Sequence, residues 1–278
     1  MSQIVFHSLN AQMNSLLLDL APGPSVAFSL RKLNSAYSGP AIRVRRSSDN
    51  SESDIGFDAY GNFDAAAFST FVSGSNGYIK KWYDQGGNAN DATQTSASNQ
   101  PQLVLNASGT FAGVLFTGSS SQRLMLNSTV TLTTGISNLN VVKKVSTSNI
   151  MEMLGNTTNN NVYSEYWSNG LAEFSMASSN SSNGYSIYPS SNTNNTNLNL
   201  IGAFGDASSG LITYKQTYFN IAVTTSSVSG SQPKSTYDCL GYGDGSYCTG
   251  NVFEVLLWPG SNSNEAIIVN NIKAYYSI

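Results

Sequence analysis

Short runs of alternating apolar and polar residues recur along the chain. They include VAFSL from Val26, AIRVR from Ala41, YIKKWY from Tyr78, QLVL from Gln102, GVLF from Gly113, RLML from Arg123, LNVVKKV from Leu139, LNLIGAF from Leu198, YFNIAV from Tyr218 and NVFEVLLW from Asn251. Clusters of Gly, Asn, Ser and Asp separate them. Runs this short, rich in β-branched and aromatic residues and bounded by turn formers, predict strands. Many such strands in series predict an all-β sandwich or jelly roll. Two segments follow a helical period instead. The first spans 64–71, with Asp64 as N-cap ahead of consecutive alanines. The second spans 264–275 and sets Ile267, Ile268, Ile272 and Tyr275 near one face. The expected organisation is an amino-terminal arm or attachment segment over 1–24 and one sandwich domain over 25–278. The Asn/Ser-rich segments 146–161 and 178–199 are expected as ordered loops on the sandwich rim.

Composition narrows the function classes. Charged residues are 10% of the chain and the formal net charge is −3, against about 25% charged in an average globular protein. Such a surface does not attract a polyanion over long range, so no nucleic-acid partner is expected. No apolar run approaches the ~20 residues of a membrane span. The start has no basic n-region and only a short apolar core at Leu16–Leu18, so no signal peptide is expected. His7 is the single histidine and Cys239 and Cys248 are the only cysteines. A His-based metal site, a Ser-His-Asp triad and a Cys-His pair are not expected, and no cofactor is implied. The two cysteines either pair across a hairpin or stay as buried thiols.

Arg43, Arg45 and Arg46 fall within IRVRRSSDN, from Ile42 to Asn50. In a strand Ile42 and Val44 face the core and Arg43 and Arg45 face away. The SSDN that follows is turn chemistry. Arg45 or Arg46 forking onto Asp49, Asp54 or Asp84 would pin this turn to another. The competing expectation is an anion or carboxylate-sugar clamp. In YDQGGN, Asp84 precedes Gly86-Gly87, which permits a left-handed turn. A carboxylate there ties loop amides or meets an arginine; the alternative is a cation or ligand site.

VAFSLRKLNSAYSGPAIRVRRSSDN, then DIGF, then WYDQGGNANDATQ resembles the amino-terminal part of the arabinofuranosidase B-type catalytic module of glycoside hydrolase family 54. A weaker likeness covers LGYGDGSYCTGNVFEVLLW and the last helix. The resemblance implies a concanavalin A-like β-sandwich, here with a short carboxy-terminal helix. Similar strings occur in structural and fibre proteins of bacteriophages. The family's nucleophilic glutamate ends a Gly-Asn-Ala-Glu string. Its counterpart is Gly155-Asn156-Thr157-Thr158, which puts Thr158 at the glutamate position. Ile150-Met151 stand where the family has a vicinal cysteine pair, and Met153 where it has an aspartate. Glu152 or Glu165 is the alternative nucleophile if the alignment slips. The acid/base aspartate of the family falls near Asp244, in Gly243-Asp244-Gly245-Ser246, which also reads as an ordinary hairpin turn.

The resemblance thus implies a scaffold kept and a double displacement lost. Tyr163, Tyr166, Trp167, Tyr242 and Tyr247, with Asp244, are the expected ligand-binding residues, because aromatic faces stack on sugar rings. Part of this set is equally suited to the core or to a subunit interface. The expected role is a non-catalytic virion protein of a phage, a fibre, spike or capsid decoration subunit. Other virion proteins, further copies of itself (a trimer among them) and a host surface glycan are the expected partners. An active arabinofuranoside hydrolase and a secreted adhesin are the competing roles.

Overall fold

Alternation along the strands builds the molecule. In the strand Ile42–Arg46, Ile42 and Val44 are buried and the arginines lie outward. The computed structural model describes residues 15–158, 195–205, 236–260 and 262–278, with strand backbone at 162–166, 172–176, 206–208, 211–219, 222–229 and 235.

Two antiparallel sheets face each other. In one, Val26–Ser29 pairs with Gly250–Pro259, and Gly135–Lys144, Asn199–Ser208, Leu211–Phe219 and Ala222–Ser229 follow. In the other the order is Glu52–Ile55, Ile42–Arg46, Gly77–Trp82, Ala92–Thr93, Leu124–Leu132, Ser235–Leu240, Met151–Gly155, Val162–Tyr166 and Ala172–Met176. Gln102–Val104 and Gly113–Phe116 pair with each other and join the sheets at a corner. A bulge between Val252 and Glu254 lets Gly113–Phe116 and Val26–Ser29 share one edge of Gly250–Pro259. The architecture is the all-β sandwich expected from the strand pattern.

The apolar residues form two cores. Phe28, Trp82, Phe116, Val142, Val255 and Leu257 lie between the sheets. Ala27, Leu139, Val141, Leu256 and Trp258 point out of the first sheet, into a second core closed by a helix. Gly250–Pro259 is therefore buried on both faces, which is why NVFEVLLW reads as a near-continuous apolar run rather than an alternation. Each fully buried Val, Leu, Ile or Phe contributes about 1.5–3 kcal/mol, so this doubly covered strand is a main source of stability.

The first helix, Leu17–Leu20, buries Leu17 and Leu18 in the outer core, and Ala21 follows them. Trp258 Nε1 donates to the carbonyls of Ala21 and Pro22 at 3.3 and 3.2 Å. Part of the segment expected as an arm is thus docked on the sandwich; residues 1–14, including His7, lie outside the described residues. The second helix, Ala65–Val72, is capped as expected, with Asp64 accepting from Ala67 N at 2.8 Å. The third, Glu265–Tyr276, buries Ile268, Val269, Ile272 and Tyr276. The predicted face was one residue off. Ile267 and Tyr275 are only partly covered, because the helix packs on Leu256 and Trp258 through the neighbouring stripe.

The middle of the chain departs from the expected pattern. Segment 146–161 is not simply a rim loop: Met151–Gly155 is a strand whose residues are all buried. Glu152 within it interrupts the apolar pattern and hides the strand from a periodicity test. YFNIAV is not one strand but falls on the ends of two paired ones, Leu211–Phe219 and Ala222–Ser229. Most of segment 178–199 lies outside the described residues. Cys239 and Cys248 are free and buried, and burial pushes both thiols up in pKa.

Candidate functional site

The arginine strand is a structural corner. Arg46 forks onto Asp49, Nε to Oδ1 at 3.0 Å and Nη2 to Oδ2 at 2.6 Å. Its third nitrogen donates to the Phe71 carbonyl at 2.7 Å. Asp49 also accepts from the Ser51 amide and hydroxyl. These hydrogen bonds, the Arg46 fork first, hold the Asp49 carboxyl below the usual range. Arg45 donates to Gln100, Asn50 and the Ala97 carbonyl rather than to an acid. Arg43, which sequence reasoning left without a partner, forks onto Asp54 on the paired strand at 2.8 and 2.6 Å. The register Arg43↔Asp54 was the missing signal. Together these contacts engage the donors of the proposed carboxylate-sugar clamp within the protein itself.

Asp84 is 3% exposed and gathers three backbone amides, Ala27 and Gly86 at 2.8 Å and Asn90 at 3.2 Å. Burial nevertheless pushes its pKa up, against the lowering by those amides. A Cβ on Gly86 would press on Asp84 Oδ1 and Pro24 at 3.0 Å, and Gly87 takes φ +93°, the left-handed region that favours glycine. Asp84 and Arg46 do not meet; they tie separate turns.

The Asp244 hairpin lies elsewhere, on the second sheet. Tyr242–Gly243 pairs with Ser246–Tyr247, and the turn between them holds Asp244 and Gly245 at φ 40° and 74°. Its feet are bonded to the strand region beneath: Gly241 N to the Met153 carbonyl at 3.2 Å and Thr249 N to the Ile150 carbonyl at 2.9 Å. Gly155 is obligatory, because a Cβ there would collide with the Tyr242 carbonyl and Gly243 Cα. The hairpin therefore rests directly on Met151–Gly155.

The Tyr242 and Tyr247 rings lie 4.9 Å apart. Arg123 sits over both, 5.6 and 6.0 Å from their centroids, and Nη1 donates to the Tyr247 hydroxyl at 3.3 Å. Asp244 is exposed at the tip. Beside Tyr247 a cleft of about 310 Å³ opens, lined by Ser119, Ser148, Asn149, Ser246 and Thr249. Among the described residues Asn149 Oδ1 is buried and accepts no hydrogen bond. Hydroxyl-bearing side chains and the Tyr247 ring together line a polar cleft. Sequence reasoning found the tyrosines and Asp244 but missed Arg123 and Asn149, which reach this rim from distant segments.

Thr158 lies at the end of the strand Met151–Gly155, with its hydroxyl donating to Asn156 Oδ1 at 2.8 Å. Thr157 is bonded through amide and hydroxyl to Asp238 at 2.9 and 2.6 Å. The register sets Glu152 opposite Glu165, and Glu165 opposite Glu173, on three adjacent strands. Glu152 is fully buried. Tyr163 and Tyr166 belong to the strand Val162–Tyr166, which pairs with Met151–Gly155 under the hairpin; Trp167 lies outside the described residues. Among the described residues no group of three or more His, Cys, Asp or Glu is placed to hold a metal ion.

Comparisons with known proteins agree with this fold. The family model for the catalytic domain of alpha-L-arabinofuranosidase B matches residues 21–198, more than half of the chain. A glycoside hydrolase family 54 α-L-arabinofuranosidase soaked with a cyclic sulfate inhibitor superposes with a TM-score of 0.66 at 18% identity, over 90% of this chain and 62% of that one. An arabinofuranosidase complexed with arabinofuranosyl-alpha-1,2-xylobiose gives the same values. A mutant family 54 enzyme soaked with 4-nitrophenyl α-L-arabinofuranoside gives 0.68 at 18%, over 94% of this chain and 65% of that one. The chain thus spans less than two thirds of these proteins, and at this identity the likeness shows the fold. No curated protein sequence matches. With the family model matched over more than half of the chain and the sandwich fold in agreement, the chain belongs to the alpha-L-arabinofuranosidase B catalytic-domain family.

Proposed function

We propose that the chain is a saccharide-binding sandwich that holds its ligand without cleaving it. The observation that carries this reading is the rim at the Asp244 hairpin: the Tyr242–Tyr247 pair, exposed Asp244, and a hydroxyl-lined cleft beside Tyr247. At the position matched to the nucleophile by the string Gly155–Thr158, a threonine hydroxyl is engaged with Asn156. A hydroxyl without an adjacent base does not replace a carboxylate. The binding test is calorimetry with an arabinofuranosyl oligosaccharide, and the chemistry test is release of nitrophenol from 4-nitrophenyl α-L-arabinofuranoside. Binding that is lost in Tyr247→Ala, without nitrophenol release, is the expected result. No binding at millimolar sugar would remove this reading.

The finer role is that of a virion subunit of a phage, as fibre, spike or capsid decoration, assembled with other virion proteins and with further copies of itself. The low-charge polar surface and the resemblance of the amino-terminal string to phage structural proteins favour it. Residues 1–14 are the attachment segment in this reading, since Leu17 and Leu18 already belong to the outer core. Deleting 1–14 should abolish incorporation into particles while leaving the sandwich folded; normal incorporation refutes the attachment role.

One observation favours a second reading, that of an active hydrolase. Glu152 and Glu165 are register partners on the strands Met151–Gly155 and Val162–Tyr166, the first of which supports the feet of the Asp244 hairpin. A retaining glycosidase needs two carboxyls about 5–5.5 Å apart, one as nucleophile and one as acid/base. Nitrophenol release abolished by both Glu165→Gln and Asp244→Asn would establish that reading in place of the first.

A further inference from the structure

The chain has five arginines, at 31, 43, 45, 46 and 123. Arg31, Arg43 and Arg46 each fork onto a carboxylate. Arg45 donates from each of its three nitrogens, to Gln100, Asn50 and the Ala97 carbonyl. Arg123 is different. Among the described residues its only hydrogen-bond acceptor as a guanidinium is the Tyr247 hydroxyl, at 3.3 Å, and it forms no ion pair. Its plane is backed by the faces of Tyr242 and Tyr247. That backing holds a half-buried guanidinium in place without neutralising it.

We infer that Arg123 selects an acidic saccharide, a uronic acid residue whose carboxylate takes the unused guanidinium donors, at the Tyr242–Tyr247 hairpin. This rests on the saccharide-binding reading above and names the class of sugar. The fork geometry of a guanidinium matches a planar carboxylate in a two-point contact. Because the cation covers ring faces of the tyrosine pair, an approaching sugar meets guanidinium edges on that side. Asp244 at the hairpin tip disfavours a second anion beside it, so the ligand carboxylate is oriented to Arg123 and away from the turn. The neighbouring cleft then takes hydroxyls against Ser119, Ser148, Ser246 and Thr249. A single uncommitted arginine on a chain of net charge −3 suits one carboxylate and not a polyanion tract.

The probes are trigalacturonate, its methyl ester and a neutral arabinofuranosyl trisaccharide, titrated into the full chain. The acid should bind about tenfold or more tighter than its ester, as expected for a charge-assisted contact. Arg123→Gln should erase that difference while retaining wild-type thermal stability. Arg123→Lys keeps the charge but not the fork and should lose most of the difference, which serves the test should the glutamine variant melt early. Equal affinity for acid and ester in the wild type overturns the inference. Binding of the neutral trisaccharide alone overturns it too, while leaving saccharide binding intact; failure of all three probes removes both.

Discussion

The corner at Ile42–Arg46 and the hairpin at Asp244 use the same residue types to different ends. At the corner, neighbouring segments supply a carboxylate or an amide to each arginine: Asp54, Gln100 with Asn50, and Asp49. At the hairpin, Arg123 meets aromatic faces and one hydroxyl. Charge that is matched inside the protein holds turns together; charge that is only backed by rings is left for something outside. Crowding of arginines in sequence therefore misleads about ligand binding, and the solitary one carries it.

Between these extremes stands the buried pair on the outer face. Arg31 forks onto Glu254 at 2.8 and 3.0 Å, with Ser29 and Tyr276 also donating to the same carboxylate and Asn271 accepting from the guanidinium. Arg31 is 7% exposed and Glu254 fully buried. The comparison predicts its largest effect here. Arg31→Met or Glu254→Gln should each lower stability by about 3–5 kcal/mol, since removing one partner leaves the other buried without its counter-charge. Urea unfolding followed by circular dichroism measures it; a loss no larger than that of an exposed pair would break the proposed ranking by burial.

Asp84→Ala should come next, at about 2–3 kcal/mol, because it strands backbone amides that have little access to water. The same denaturation series reads it. Arg46→Met should lower the melting temperature by less than either, because its partner Asp49 is half exposed.

Acid sharpens the contrast further. The Arg43 fork lowers the Asp54 carboxyl and the Arg46 fork lowers Asp49, both from an ordinary value of 3.8. A group lowered in the folded state contributes stability above its unfolded value and loses it as the pH falls through the folded one. Melting temperature should therefore drop below pH 3.8 and drop less steeply in Arg43→Gln. Asp84, raised by burial, works in the opposite sense: its share is complete below 3.8 and is lost as the pH rises through its folded value. A melting curve flat across the acid range in the wild type would contradict the assignment at the corner.

Much of the scaffold could be read before the fold was known. Alternation found the strands around Ile42, Ile79 and Val255, and Asp64 marked its helix because a cap and its amide are only three residues apart. The outer core was harder, since a strand covered on both faces loses its period and the helix above it sets which stripe is used. Glu152 concealed a buried strand for a similar reason: a single polar residue breaks the pattern whatever its surroundings. At the site, Asp244 and its flanking tyrosines were legible as a turn with aromatics. Arg123 was not, because it precedes the strand Leu124–Leu132 and reaches Tyr247 across 124 residues of chain.

The sequence by itself determined the fold class, the Asp64 cap and the Asp244 turn. These depend on local period and spacing, which a linear chain displays directly. Only the tertiary structure decided which charges are neutralised and which are left over. That outcome depends on strand register and sheet order, which join Arg31 to Glu254 and Arg43 to Asp54 and leave Arg123 against two rings. A guanidinium has the same formula in each place; its partner, chosen by packing over long distances in sequence, makes it structural or functional.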